Sequence, residues 1–558
     1  MQLTHNGLES IVTIPPGSSP DGVERRKWTV KNAIGKVAQT DDSYGATVNM
    51  AYDAVGNLVR TVDGMGNTTT IAYTDFTARF KTSIADPDSG TTSFTYDALG
   101  QLKTQTDAKA KTTQFRYDTL GRMTERLNPS LNGRWYHDRD AAGAVCAAGL
   151  NRLCEATAGN PGTGAIVSSD KHTYDNLGRA LGTTATVDRA YSSAVTYDTL
   201  GRVLTSRYPT GFTTRNTYSV AAGGVIPGVL ETIADNASAT RIFWSIAGQG
   251  SSAFDARGNV LQAKLASDTH RTSNVFDPIS GKAFLLRAGT AAGGYTSAQD
   301  HRYTYDRADN VESRNDAIQA VLDEFRYDRL DRLERHTLTS GSDAGANRST
   351  VVQYNAIGNI LAKSDVGGYE YAGPRPHAIT KAAGVSYFYD AKGQLESTTG
   401  DETRALTWSD FGQVTALTFR GRSTQFTHDH TYRRIREDVA DGTTARSIVF
   451  VHPDNAGGLA YEREETRSGT TLTRDESRHY IRAGGAVVAV VKTLAGSATV
   501  SSDANLTQYW HRDALGSIVA VTNATGTVLE RTSFDPWGDT PAYVTTSTRD
   551  RLAVRRCT

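Results

Sequence analysis

Several short clusters in this 558-residue chain carry side chains able to do chemistry. His511-Arg512-Asp513 matches the catalytic loop of a protein kinase, and Asp410-Phe411-Gly412 matches its magnesium-binding triplet. A kinase loop needs Asn five residues after its Asp to hold metal. Here that position is Ile518, and the two triplets stand in reversed order along the chain. His428-Asp429-His430 could present two imidazoles on one strand face, a pair of metal ligands. No Cys or carboxylate at ligand spacing follows it, and Tyr432-Arg433-Arg434-Ile435 marks a degenerate repeat around it, so exposed strand histidines are expected. The remaining Asp and Glu residues fall mostly in turns, where local hydrogen bonding accounts for them. The expectation is a chain that is not an enzyme, with no catalytic residue, no cofactor-binding residue, no metal ligand and no cofactor.

Cys146 and Cys154 flank Gly149-Leu150-Asn151-Arg152, a turn with Asn151 placed for the left-handed backbone region. This placement permits a cross-strand disulfide if the Cα atoms come within about 6 Å. Pairing register is not deducible from sequence, so disulfide and free thiols both stay open. Cys557, in an irregular tail, is expected to be unpaired.

The elements that would position these groups repeat. Tyr52-Asp53-Ala54-Val55-Gly56, Tyr96-Asp97-Ala98-Leu99-Gly100 and Tyr117-Asp118-Thr119-Leu120-Gly121 share one phrase, which returns at Tyr174 to Gly178, Tyr197 to Gly201, Phe254 to Gly258 and Tyr389 to Gly393. Looser copies begin at Tyr305, Tyr327 and Tyr354. Tyr96 to Tyr117 is 21 residues, too short for a strand–helix–strand unit of about 30 or more. Two strands and two turns fit. Thr92-Ser93-Phe94-Thr95-Tyr96 alternates, putting Phe94 and Tyr96 on one face, and Leu102 to Thr106 reads as the returning strand. Asp97 would accept backbone N–H bonds in an Asx-turn, and Gly100 would take the left-handed position of a bulged hairpin loop. Asp309 and Asp331 fill that glycine slot in two copies, as the conformational preference allows. Both kinase-like triplets also fall in repeat turns, and Asp277-Pro278-Ile279-Ser280-Gly281 reads as a turn one residue longer.

The periodic aromatic–Asp–x–x–Gly–Arg pattern resembles the YD repeat of the Rhs family, shared with insecticidal toxin-complex C components and teneurins. Tyr509-Trp510-His511-Arg512-Asp513-Ala514-Leu515-Gly516-Ser517, followed by Phe534-Asp535-Pro536-Trp537-Gly538, resembles the start of the Rhs-associated core. The resemblance implies an all-β fold: serial antiparallel hairpins forming a spiral sheet, part of a hollow β-shell. The expected organisation is a repeat array over 1–505, the start of the core over 506–540, and an irregular tail over 541–558, with the end of the core and a C-terminal cargo domain absent. The chain is thus expected to be an open segment of a longer protein, ended by a frameshift or a pseudogene boundary. The family's self-cleavage uses carboxylates near a later Asp-Pro motif; Asp535 matches an earlier block and Asp277 lies mid-array, so neither is carried over as catalytic.

Function follows from the same resemblance: a shell segment of a polymorphic toxin that encloses or presents a toxic C-terminal domain for delivery. The implied partners are that cargo, the remaining shell segments and components of a secretion apparatus. A cell-surface carbohydrate-binding or adhesion protein is the alternative, with glycans as ligand, and a non-functional fragment is a third reading. Sixty basic and sixty acidic residues give zero net charge, so no field favours nucleic acid or an anionic membrane. Mean hydropathy of −0.44 suits a long thin sheet better than one thick core. The longest apolar run, Ala486 to Val491, is far short of the roughly 20 residues that span a bilayer. No signal peptide is visible, so the expected location is the cytoplasm before export, then secreted or envelope-associated.

Overall fold

A computed structural model of the chain describes residues 2–14, 24–74, 79–220, 227–248, 253–452, 458–495, 497 and 499–539. Among these, forty-five β-strands run from Gln2–Asn6 to Val528–Arg531, with two short 3-10 turns and no α-helix. Each strand pairs antiparallel with the one before it, so the sheet is a single meander. The strands Thr507–Arg512, Ile518–Asn523 and Val528–Arg531 continue that meander. Cys557 and the 541–558 tail lie outside the described residues.

The hairpin loop explains the repeated phrase atom by atom. Asp97 Oδ1 accepts from the N–H groups of Leu99 and Gln101, both at 2.9 Å. Gly100 sits at φ +81°, and the register slips between Leu102 and Thr104, the expected bulge. Asp309 and Asp331 hold the same slot at φ +72° and +60°. The tyrosine has a further task that the sequence did not disclose. Tyr96 Oη donates to the carbonyl of Lys81 at 2.9 Å, and Tyr117 Oη to that of Leu102 at 3.1 Å. Each hydroxyl thus ties its own strand to the residue leaving the previous repeat's turn. Where the phrase ends in Arg, the guanidinium bonds the turn Asp, as Arg202 does Asp198 at 2.7 Å. It also covers the next repeat's ring, 4.1 Å from the centroid of Tyr218.

The meander coils back on itself. Lys109 Nζ lies 3.0 Å from Asp390 Oδ2, and Lys392 Nζ lies 2.9 Å from Asp107 Oδ2. Arg189 reaches Glu465, Tyr208 reaches Tyr480, and Thr522 meets His270. Residues some 250–300 positions apart are therefore neighbours, which makes two successive turns of a spiral. The main core lies between these turns. Tyr208, Phe212, Phe243 and Trp244 of the first pack with Tyr461, Ile481, Val491 and Tyr509 of the second.

Candidate functional site

Two places concentrate polar chemistry: a hollow against the second turn, and a carboxylate–histidine cluster between the turns.

The hollow measures about 1270 Å³ and is lined by residues from Gln413 to Thr532. One cavity touching strands so far apart along a meander must lie on the concave side of a curved sheet. Alternation within each strand builds it. Tyr461 and His479 point into the core between turns, while Glu462, Glu464, Arg478 and Trp510 line the hollow. Arg478 reaches Glu462 at 3.1 Å, Glu464 at 2.6 Å and Glu476 at 2.8 Å. Burial alone would push Glu464 up; Arg478 beside it overrides this and holds the carboxyl below its usual range. Arg478 is thus paired locally, but the wall as a whole carries more arginine and lysine, among them Arg434, Arg446, Arg482 and Lys492, than glutamate.

The cluster falls where the sequence pointed to exposed strand histidines, and that expectation is corrected. His428, Asp429 and His430 are buried, with Asp429 1% and His430 2% exposed. They do not share a strand face: His428 ends the strand Arg422–His428, whereas Asp429 and His430 begin the turn. His428 packs edge-on to Phe411, and His430 to Trp135 in the first turn of the spiral. Asp429 is the turn aspartate, accepting from the N–H groups of Thr431 and Arg433. Tyr432 occupies the glycine slot at φ +67°, a conformation costly for a bulky residue. Phe411 stacks on it at 3.9 Å and Arg126 covers it at 3.5 Å, which hold it there. The carboxylate missing from the local sequence arrives from Asp170, 3.6 Å from His430 Nδ1. Burial, then the charge of Asp429, push the Asp170 carboxyl up to about 7, and burial pushes His430 down to about 4.

Both kinase-like triplets sit at repeat turns. His511 is 3% exposed and bonds Thr522, Asp513 closes a repeat turn, and Asp410 bonds Ser130 across the spiral. Asp277 closes the longer turn, accepting from Ile279 and Ser280. Cys146 and Cys154 form a disulfide with Cα atoms 6.0 Å apart. The bond is thus formed, but it is not the cross-strand bridge that the sequence left open. Asp138 N–H bonds the carbonyl of Arg152, and Asn151 at φ +59° donates to the Asp138 carboxylate. Residues 139–150 are therefore an insertion inside a repeat turn, and the disulfide pins that excursion to the strand Leu153–Gly159.

The sequence matches the family model described as RHS Repeat over residues 82–112 and 96–130. Residues 82–130 thus carry RHS repeats. Its fold is similar to the Photorhabdus luminescens Tc holotoxin pore structure, with a TM-score of 0.77 and 15% identity over 97% of this chain and 29% of that one. It is also similar to TcdB2-TccC3 without the hypervariable C-terminal region, at a TM-score of 0.74 with the same identity and coverage. For TcdB2-TccC3 itself the TM-score is 0.68 and the identity 13%, over 97% of this chain and 30% of that one. This chain thus spans less than a third of the length of these structures, and the shared property is the β-shell fold. No curated protein matches its sequence. Among the described residues no helix is long and apolar enough to cross a membrane.

Proposed function

We propose that this chain is a wall segment of a hollow β-shell that encloses a polypeptide cargo and holds it until delivery. The observation that carries this reading is the two-turn spiral with a charge-lined hollow of about 1270 Å³ on its concave side. A continuous meander closed against its own second turn leaves few free edges along which a cargo could escape or the sheet could aggregate. The remaining shell segments would complete the enclosure, and export through a dedicated secretion apparatus would follow, as in toxin-type relatives.

Containment is tested by protease protection. An unstructured reporter polypeptide is fused after the last residue and co-expressed with the rest of the shell. The reporter should survive a protease dose that destroys the free reporter. Digestion at the rate of the free polypeptide would sink the reading.

A further inference from the structure

We propose that Asp170, Asp429 and His430 form a binding site for one zinc-class divalent ion that staples the first turn of the spiral to the second.

The ligand-bearing atoms of the three side chains lie within 4.8 Å of one another. His430 Nδ1 is buried without a hydrogen-bond partner and stands 3.6 Å from Asp170 Oδ2. Two ligands at about 2.0–2.1 Å from a tetrahedral ion stand roughly 3.3 Å apart, so a small closing motion seats both. A buried imidazole nitrogen without a partner, facing a partly buried carboxylate, is costly unless something pairs them.

A second orphan lies beside the two carboxylates. Ser168 lies two residues before Asp170 on the same strand, and its buried Oγ has no partner. Ser168, Asp170 and Asp429 line one small cavity of about 10 Å³. That is about the room one water-sized sphere needs. The ion would take Asp170, Asp429 and His430, with the Ser168 hydroxyl or a water in the fourth position.

Asp429 can serve without giving up its turn. Oδ1 takes the N–H groups of Thr431 and Arg433 and the Thr431 hydroxyl, and Oδ2 takes Arg433 Nε at 3.0 Å. Among the described residues Oδ2 itself accepts only that one bond, which leaves its second lone pair for a metal. The neighbouring guanidinium lowers affinity for any cation. Mixed oxygen and imidazole ligands favour zinc-class ions over magnesium or calcium, which prefer all-oxygen shells with more ligands. Asp170 and Asp429 are 259 residues apart in sequence, and a clip across so long a loop removes much disorder from the unfolded chain.

The test uses the full chain, stripped with chelator, dialysed and titrated with Zn²⁺ against a chromophoric competitor. One equivalent of zinc should bind and raise the melting temperature, while Mg²⁺ and Ca²⁺ at equal concentration should not. Asp170→Asn and His430→Gln should each weaken binding by about 100-fold or more, with the far-ultraviolet spectrum checked for folding. Should either variant fail to fold, X-ray absorption on the zinc-loaded wild type must show an imidazole in the first coordination shell. No stoichiometric zinc, no imidazole, or unchanged affinity in a folded Asp170→Asn would each overturn the proposal.

Discussion

The hydroxyl of Tyr208 donates to the backbone carbonyl of Tyr480 at 3.0 Å, although 272 residues separate them. The pair marks where the two spiral turns lock together. Tyr208 is 8% exposed and also stacks on Phe212, with ring centroids 5.4 Å apart. Burial pushes its hydroxyl well above the usual phenol range, so it stays a donor.

Tyr208→Phe keeps the ring and strands a buried carbonyl. It should lower stability by about 1–3 kcal/mol. Tyr208→Ala removes the ring as well and should cost about 3–5 kcal/mol. Denaturant midpoints for the two variants check the order, and equal midpoints would show that the hydroxyl alone accounts for the lock.

Gly121 at φ +79° occupies the left-handed slot of a repeat turn, while exposed Thr119 does not. Gly121→Val should destabilise by at least about 1–2 kcal/mol. Thr119→Val should be nearly neutral. If thermal melts place the two variants together, the turn assignment fails.

Acid should loosen the seam between turns. Burial pushes His479 down to about 4, although its Nδ1 bonds the Val491 carbonyl. Burial likewise pushes His511 down to about 3, with His270 adding to it. The unfolded chain therefore binds more protons than the folded one as pH falls below the ordinary histidine range near 6.5. The stability these neutral histidines contribute is present above about 6.5 and is lost as pH falls towards 4 and 3. Replacing His479 with Gln should reduce the slope of stability against pH across that window. An unchanged slope, measured by urea unfolding at several pH values, would exclude His479 as a contributor.

The Cys146–Cys154 bridge closes a short loop inside one repeat turn. In the chain-entropy picture its loss costs about 2–3 kcal/mol, and the effect should stay local. Native-state hydrogen exchange on Cys154→Ser should show faster exchange around 138–152 with the distant Tyr461–Ser468 strand unchanged. Under oxidising conditions, thiol titration of the unfolded chain should gain two thiols on reduction.

The insertion at 139–150 shows why part of the local structure stayed hidden. The phrase His137-Asp138 is separated from Asn151-Arg152 by residues that break the spacing. Only the hydrogen bonds from Asp138 to Arg152 and Asn151 reveal one turn. The degenerate repeat around His428 to Arg433 was legible as such, but its turn was not, because Tyr432 fills the slot that glycine takes in the regular copies.

The sequence by itself determined the hairpin. A left-handed backbone position admits Gly, Asn or Asp at low cost, and an Asx-turn needs its aspartate at a fixed offset. These are local demands, written within five or six residues, and they repeat legibly at Asp97, Asp118 and Asp198. Tertiary structure alone decided which repeats meet. Nothing near Asp429 announces Asp170, and nothing near Tyr208 announces Tyr480, because sheet twist accumulates over hundreds of residues before the second turn closes on the first. Burial of the histidines, the hollow and the carboxylate–imidazole cluster all follow from that closure.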